Sequence, residues 1–227
     1  MNICLLLRPG LIEYDKALAI QETTVEYRRR GDLPDVLFLL QHPPIITLGA
    51  SGHEENILVS KDELATYGVA FCKTNRGGDV TYHGPGQLVG YPIFDLRRRG
   101  GDLIRFVREL EEVLIRTVRD YGIHAWREAG FPGVWTHLGK VAALGLRVRK
   151  PSITMHGFAL NIAPNMEHFA LIRPCGLQDK EVTSLKALLG SAPAIEEVET
   201  KIIEKICQIF HVEVREVEPS QIGIKAG

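Results

Sequence analysis

A short apolar run near the N-terminus sets the strongest limit on the fold. Residues Asp35 to His42 read DVLFLLQH, and prolines close the run on both sides, at Pro34 and at Pro43-Pro44. An unbroken apolar run of this length is typical of a strand that is buried on both faces. The sequence therefore predicts a sheet that other elements cover on two sides.

Apolar periodicity predicts further strands and helices around this run. Further strands are expected at residues 2–8, 45–49, 69–74, 133–136, 140–149, 153–162 and 212–217. Helices are expected at residues 11–30, 60–67 and 195–210, and a long one after the capping residue Asp102 that ends at Gly122. Hairpin-like strands mixed with a few helices indicate a mixed α/β (α+β) class rather than a doubly wound sheet. We expect a single domain over residues 1–227, and the linker-like GSAPA leaves open a small C-terminal extension from about residue 191.

Composition excludes several classes of protein. The formal net charge is -1, so the whole chain offers no general attraction for nucleic acid or an anionic membrane. A polyanionic partner would need one of three basic clusters, at residues 27–30, 97–99 and 147–150. Four scattered cysteines without a Cys-x-x-Cys pair predict neither a disulfide scaffold nor a metal site. No apolar run is long enough for a signal peptide or a membrane span, and we expect a cytoplasmic protein.

The most unusual segment is glycine-rich and reads RGGDVTYHGPGQLVGYPI from Arg76 to Ile93. It fits neither phosphate-loop pattern, because no Gly-Lys-Ser/Thr is present and the residues after Gly86 resemble a strand rather than a helix. We interpret it as a loop between strands whose glycines admit a ligand and whose Arg76, Tyr82 and His83 frame it. A tight turn with an incidental histidine is the alternative.

Two residues outside this segment could carry chemistry. Cys175, in RPCGL, lies in a polar turn, whereas Cys4 and Cys207 lie on apolar faces typical of core packing. Only about 3% of a free thiol with a pKa near 8.5 is ionised at neutral pH, so a reactive cysteine needs a nearby base or positive charge. Lys140 precedes an apolar strand, where burial would lower its pKa and make it such a base. A structural cysteine and a solvent-facing lysine are the alternatives.

Together these segments resemble the octanoyltransferases of lipoate biosynthesis. The matching pieces are the glycine-rich segment, GVWTHLGKVAALGLRV, HGFALNI and RPCG, with QHPPIITLG near residue 41. The resemblance implies the fold of biotin and lipoate-protein ligases, and an acid/base dyad of Cys175 and Lys140. It also implies an acyl pocket lined by Arg76, Gly77, Gly78, Asp79, Val80, Thr81, Tyr82, His83, Ala143, Leu144, Gly145, Gly157, Phe158 and Ala159.

The activity that this resemblance implies is acyl transfer. An octanoyl group would pass from octanoyl-acyl carrier protein to the Cys175 sulfur, and then to a lysine of a lipoyl domain, without a cofactor or metal. We expect a monomer that binds no nucleic acid and no membrane. Three rivals remain: an ATP-dependent lipoate or biotin ligase, whose adenylate loop the sequence lacks; a non-catalytic acyl- or carrier-binding module; and a thioesterase in which Lys140 or His83 activates water.

Overall fold

The computed structural model of the chain describes residues 2–174 and 181–223. The strands are β1 (Asn2–Leu11), β2 (Asp35–Gln41), β3 (Ile45–Leu48), β4 (Ala70–Lys73), β5 (Val80–His83), β6 (Gln87–Ile93), β7 (Trp126–Glu128), β8 (Phe131–Thr136), β9 (Gly139–Arg149), β10 (Ile153–Asn161) and β11 (Val212–Glu216). The α-helices are α1 (Tyr14–Arg30), α2 (Lys61–Thr66), α3 (Leu103–Arg119), α4 (Leu185–Leu189) and α5 (Ile195–Phe210).

Two sheets form the framework. The larger has the strand order β11-β1-β2-β6-β10-β9-β8-β7, in which β1 runs parallel to β11 and β2 while the other pairs are antiparallel. The smaller has the order β4-β3-β5, with β3 parallel to β4 and antiparallel to β5. The predicted mixed α/β class is confirmed.

Helices cover both faces of the large sheet, as the apolar run of β2 predicts. Leu37 and Leu39 of β2 pack in the same core cluster as apolar residues of α3 and α5. Val36, Phe38 and Leu40 face the opposite way and pack with residues of α1. Because successive side chains of a strand alternate in direction, only a strand covered on two sides can bury such a run.

Several features differ from the expectations. The first helix begins at Tyr14 and not at Leu11, because β1 continues through Leu11 with an irregularity between Leu7 and Gly10. Strand β3 belongs to the smaller sheet. The glycine-rich segment is a loop only as far as Asp79 and in the turn before β6, because Val80 to His83 form strand β5 in the smaller sheet.

The C-terminal part packs against the rest of the described chain. Val198, Ile202 and Ile206 of α5 share a core cluster with Leu110 of α3, and β11 pairs with β1 at the edge of the large sheet. The division of the chain into one domain, or one with a C-terminal extension, stays a prediction.

Candidate active site

A cavity of about 290 Å³ lies where β5, β9 and β10 approach the loop of residues 76–79. Thirteen of the fourteen residues predicted to bind substrate line it: Arg76, Gly77, Gly78, Asp79, Val80, Thr81, His83, Ala143, Leu144, Gly145, Gly157, Phe158 and Ala159. Lys140 lines it as well. Segments separated by up to about 80 residues in the chain therefore meet at one site.

Tyr82 is the exception among the predicted wall residues. Its side chain is fully buried in a separate core cluster with Phe169, and its hydroxyl lies 2.9 Å from Nδ1 of His168. Neighbouring residues of β5 point in opposite directions, so Tyr82 faces the core of the smaller sheet while His83 faces the cavity. Tyr82 is therefore absent from the lining, and its role in substrate binding stays a prediction.

Lys140 presents a buried amine to the cavity. The residue is 7% exposed, its Nζ donates to the Pro132 carbonyl oxygen at 3.2 Å, and Nζ lies 4.8 Å from the centroid of the Trp135 ring. A Cβ at Gly133 would lie 3.3 Å from both Cδ and Cε of Lys140 and 2.6 Å from the Ala142 carbonyl oxygen. The absence of a side chain at residue 133 thus makes room for the lysine stem.

The chain on both sides of Cys175 reaches the same cavity. Pro174 and Glu181 both belong to its lining, and the main chain of Lys140 bonds to Glu181 and Thr183 at 2.9 Å each. Cys175 itself lies in residues 175–180, outside the described residues. Its predicted pairing with Lys140 therefore remains a prediction.

The two charged residues of the loop 76–79 fasten it to its surroundings. The guanidinium of Arg76 donates to the side-chain and main-chain oxygens of Thr47, at 3.0 and 2.7 Å, and to the Asp79 carbonyl oxygen at 2.6 Å. The Asp79 carboxylate accepts from the main chain of His53 and the side chain of Asn56. These bonds hold one wall of the cavity in place.

Sequence comparison decides the family. The family model described as the lipoyl protein ligase A/B catalytic domain matches residues 13–207. The octanoyltransferase of Caldicellulosiruptor saccharolyticus is 49% identical over 217 residues, which are 95% of this chain and 91% of that protein. That of Chloroflexus aurantiacus is 47% identical over 208 residues, 91% of this chain and 93% of that protein. The chain belongs to the octanoyltransferase family.

Solved structures with the same fold are more distant in sequence. A putative lipoate protein ligase from T. acidophilum with bound lipoic acid matches with a TM-score of 0.73 and 19% identity, covering 96% of this chain and 89% of that one. Biotin protein ligase from Aquifex aeolicus matches with a TM-score of 0.54 and 13% identity, covering 92% and 70% of the respective chains. The fold predicted for an octanoyltransferase from the sequence is confirmed.

Two buried histidines, His83 and His156, line the cavity of this octanoyltransferase-family chain, and the ring of buried His42 lies 5.7 Å from that of His83. Burial lowers the pKa of His42 to about 4 and that of His156 to about 4. Burial, then the neighbouring His42 and Arg76, lower the pKa of His83 well below its usual value. His156 also has a φ of 58°, a left-handed conformation that is rare for a residue with a side chain. All three rings are uncharged at neutral pH.

Several lining residues escaped the sequence reasoning. Tyr14 and Tyr91 come from α1 and β6, Leu103 and Val107 come from α3, and Gln87 and Asn161 lie in motifs whose other members were chosen. A buried polar residue in an otherwise apolar strand is unusual, and this signal could have indicated Gln87 and Asn161. Tyr14 gave no such signal, because an aromatic residue on a helix is usually core packing.

Two kinds of feature are absent from the described residues. Over residues 2–174 and 181–223, no group of three or more His, Cys, Asp or Glu side chains is arranged to hold a metal ion. Within the same ranges, no helix combines the length and apolar character that crossing a bilayer requires.

Proposed function

We propose that this chain transfers an octanoyl group from octanoyl-acyl carrier protein to a lysine of a lipoyl domain, in lipoate biosynthesis, through a thioester on Cys175. The observation that carries the proposal is the buried amine of Lys140 in a largely apolar cavity, whose lining includes both flanks of the Cys175 segment. Relatives named octanoyltransferase, at 43–49% identity over most of the chain, support the same acyltransferase activity.

The cavity offers an apolar surface for an acyl chain. Leu103 and Val107 of α3 approach it from one side, and Leu144 and Phe158 of the large sheet from the other. Burial of an alkyl chain contributes roughly 0.8 kcal/mol per methylene before the costs of ordering it. A chain of eight carbons therefore gains several kcal/mol, enough to hold the acyl group while the two protein substrates exchange.

In the first half-reaction, the Cys175 sulfur attacks the thioester carbonyl of the donor. A new C–S bond forms, the C–S bond to the carrier breaks, and the carrier thiolate takes a proton. Lys140 accepts the Cys175 proton before the attack and returns it to the leaving thiolate. Burial favours the uncharged amine that this role needs. One thioester replaces another, so the step needs no ATP.

In the second half-reaction, the amine of the acceptor lysine attacks the octanoyl thioester on Cys175. A C–N bond forms, the C–S bond breaks, and the Cys175 sulfur is protonated again through Lys140. Amide formation from a thioester is downhill, which drives the transfer. The acceptor would be a lipoyl domain of a 2-oxoacid dehydrogenase or the glycine-cleavage H protein.

Intact-mass analysis of the protein after mixing with octanoyl carrier protein tests this proposal. We expect one added octanoyl group that Cys175→Ser abolishes and that the matched variant Cys72→Ser retains, since Cys72 is a half-buried free cysteine outside the cavity lining. Subsequent addition of a lipoyl domain should remove the adduct. Absence of an adduct in the wild-type protein would support a non-catalytic binding module.

Two parallel reactions separate the remaining rivals. Octanoate and ATP without carrier protein should give no modified lipoyl domain, whereas a ligase would modify it. Octanoyl carrier protein without acceptor should release little free octanoate. Release at the rate of transfer would indicate a thioesterase.

We further propose that residues 147–150 bind the acidic carrier protein. Arg147 and Arg149 lie at the end of β9, whose Leu146 lines the cavity, and Lys150 follows them. None of the three forms an ion pair with any described residue. Basic groups without acidic partners are free to attract an acidic surface and steer its approach.

The other two basic clusters are less suited to this role. They meet around one surface depression with Asp95, where Arg28 pairs with Asp35 and Asp95, and Arg97 pairs with Asp95. Arg28 also lies about 21 Å along α1 from Tyr14, which lines the cavity. Most of this charge is neutralised within the protein and is remote from the acyl site.

A further inference from the structure

A chain of buried hydrogen bonds joins His83 to the segment that holds Lys140. Nδ1 of His83 lies 2.7 Å from Oε1 of Gln87, and Nε2 of Gln87 donates to Oδ1 of Asn161 at 2.9 Å. Nδ2 of Asn161 donates to the Thr183 carbonyl oxygen at 3.0 Å, and the Thr183 amide donates to the carbonyl oxygen of Lys140 at 2.9 Å. All five residues are at most 7% exposed.

The Thr183 end of this series of hydrogen bonds fixes the donor and the acceptor of each bond between the side chains. The Thr183 carbonyl can only accept, so Asn161 must turn its NH₂ group toward it and its oxygen toward Gln87. The NH₂ group of Gln87 then donates to Asn161 and to the carbonyl oxygen of Tyr82, at 3.1 Å. The oxygen of Gln87 is left facing His83, whose Nδ1 must therefore carry the proton.

This arrangement leaves Nε2 of His83 as a lone-pair acceptor. His83 lines the cavity, its Nε2 is not among the enclosed polar atoms that lack a partner, and no described residue donates a hydrogen bond to it. Because burial, His42 and Arg76 lower the pKa of His83 well below its usual value, the ring stays neutral at pH 7. An acyl chain has no donor for such an acceptor, whereas an amine has one.

The proposed second half-reaction brings a group with N–H donors to the cavity. The acceptor lysine arrives as an ammonium and becomes an amide, so its nitrogen loses two protons. The Cys175 sulfur takes one of them through Lys140, and the other leaves for solvent. The neutral amine that attacks carries two N–H groups, of which the proposed dyad takes one proton, and the other N–H can donate a hydrogen bond to an acceptor in the cavity.

We infer that His83 accepts an N–H hydrogen bond from the amine of the acceptor lysine through Nε2, with Gln87 and Asn161 as the positioning residues that fix its ring. The hydrogen bond holds the nitrogen lone pair toward the thioester carbonyl. One proton of the ammonium leaves for solvent before the attack, and the second passes through Lys140 to the Cys175 sulfur. This inference rests on the proposed function.

Separate measurement of the two half-reactions tests the inference. We expect His83→Phe to slow transfer from the octanoyl-enzyme to a lipoyl domain by about 100-fold. Acyl-enzyme formation, followed by intact mass, should fall much less. His83→Gln, whose amide oxygen can accept in the position of Nε2, should recover at least a tenth of the wild-type transfer rate. The matched control His124→Phe alters an exposed histidine outside the cavity lining and should leave both steps unchanged.

Two further measurements separate this role from a structural one. Hydroxylamine is a neutral nucleophile at pH 7, so its cleavage of the octanoyl-enzyme should be nearly as fast in His83→Phe as in the wild type. Gln87→Met should slow lysine transfer, and in the double variant with His83→Phe it should cause no additional loss, because Gln87 acts through His83.

The outcomes distinguish this inference from the proposed function. Wild-type transfer by His83→Phe, equal losses in both half-reactions and in hydroxylamine cleavage, or additive losses in the double variant would each overturn the role of His83. Failure of the wild-type protein to form any adduct would instead overturn the proposed function.

Discussion

Gly145 of β9 and Gly77 of the glycine-rich loop are in backbone contact. A Cβ built on Gly145 would lie 2.8 Å from the Gly77 carbonyl oxygen, and the Gly77 amide donates to the carbonyl oxygen of Leu146 at 3.2 Å. At these two positions glycine is required by the close approach of two main chains. The wall of the cavity thus depends on small residues that bring its two sides together.

We therefore expect Gly145→Ala to push the loop of residues 76–79 away from β9. Such crowding typically costs 1–3 kcal/mol. The free energy of unfolding from denaturant titration should fall by about this amount, and acyl-enzyme formation should slow because the loop lines the acyl cavity. Unchanged stability together with an unchanged rate of adduct formation would show that the loop moves freely.

Lys140→Met should remove the amine and keep most of the packing of the stem. We expect a loss of at least 100-fold in octanoyl transfer, because the proposed proton transfers depend on Nζ. The circular dichroism spectrum and the unfolding midpoint should stay close to those of the wild type. Turnover near the wild-type rate would exclude Lys140 from the mechanism.

Most strands, though not β5 and β7, could be predicted from the sequence because their signals are local. The apolar run of β2 indicates two covered faces by itself, and the apolar stripe of α5 predicts its observed bounds, Ile195–Phe210. The start of α1 could not be predicted in this way. Pairing of β1 with β2 through Leu11 is a long-range interaction that overrides the helical pattern before Tyr14.

The candidate site shows the same division between local and long-range information. The resemblance indicated most of the lining, and the structure brings those segments together around Lys140. It could not indicate that Tyr82 faces the core, since that depends on the direction in which β5 joins the smaller sheet. The bonds from His83 through Gln87 to Asn161 span 78 residues and leave no trace in sequence spacing.

Buried histidines should make the stability of the fold depend on pH. Burial lowers the pKa of His42 from 6.5 to about 4, while its hydrogen bond to the Ile12 carbonyl acts in the opposite sense. Between these values the unfolded chain binds more protons than the folded one, so stability is full above about pH 6.5 and is lost as the pH falls toward 4. The shift corresponds to roughly 3 kcal/mol from this residue.

Denaturant titrations at pH 7, 5.5 and 4 measure this dependence. His42→Gln, which keeps polar atoms near Ile12 and Tyr91, should have a shallower loss of stability over that range than the wild type. His124→Gln, at an exposed site, should follow the wild-type curve. Parallel curves for His42→Gln and the wild type would mean that His42 does not titrate with the fold.

The basic patch at residues 147–150 should govern the encounter with the carrier protein. We expect the double variant Arg149→Glu and Lys150→Glu to raise KM for octanoyl carrier protein at least tenfold at low salt, with less difference at high salt as charges are screened.

The same charge reversal at Arg30 and Arg98 is the matched control, because these arginines border the depression at the far end of α1. KM for the carrier should change little there. A larger effect of the control pair would move the docking surface to that end of the molecule, and an effect on the lipoyl domain alone would assign residues 147–150 to the acceptor instead.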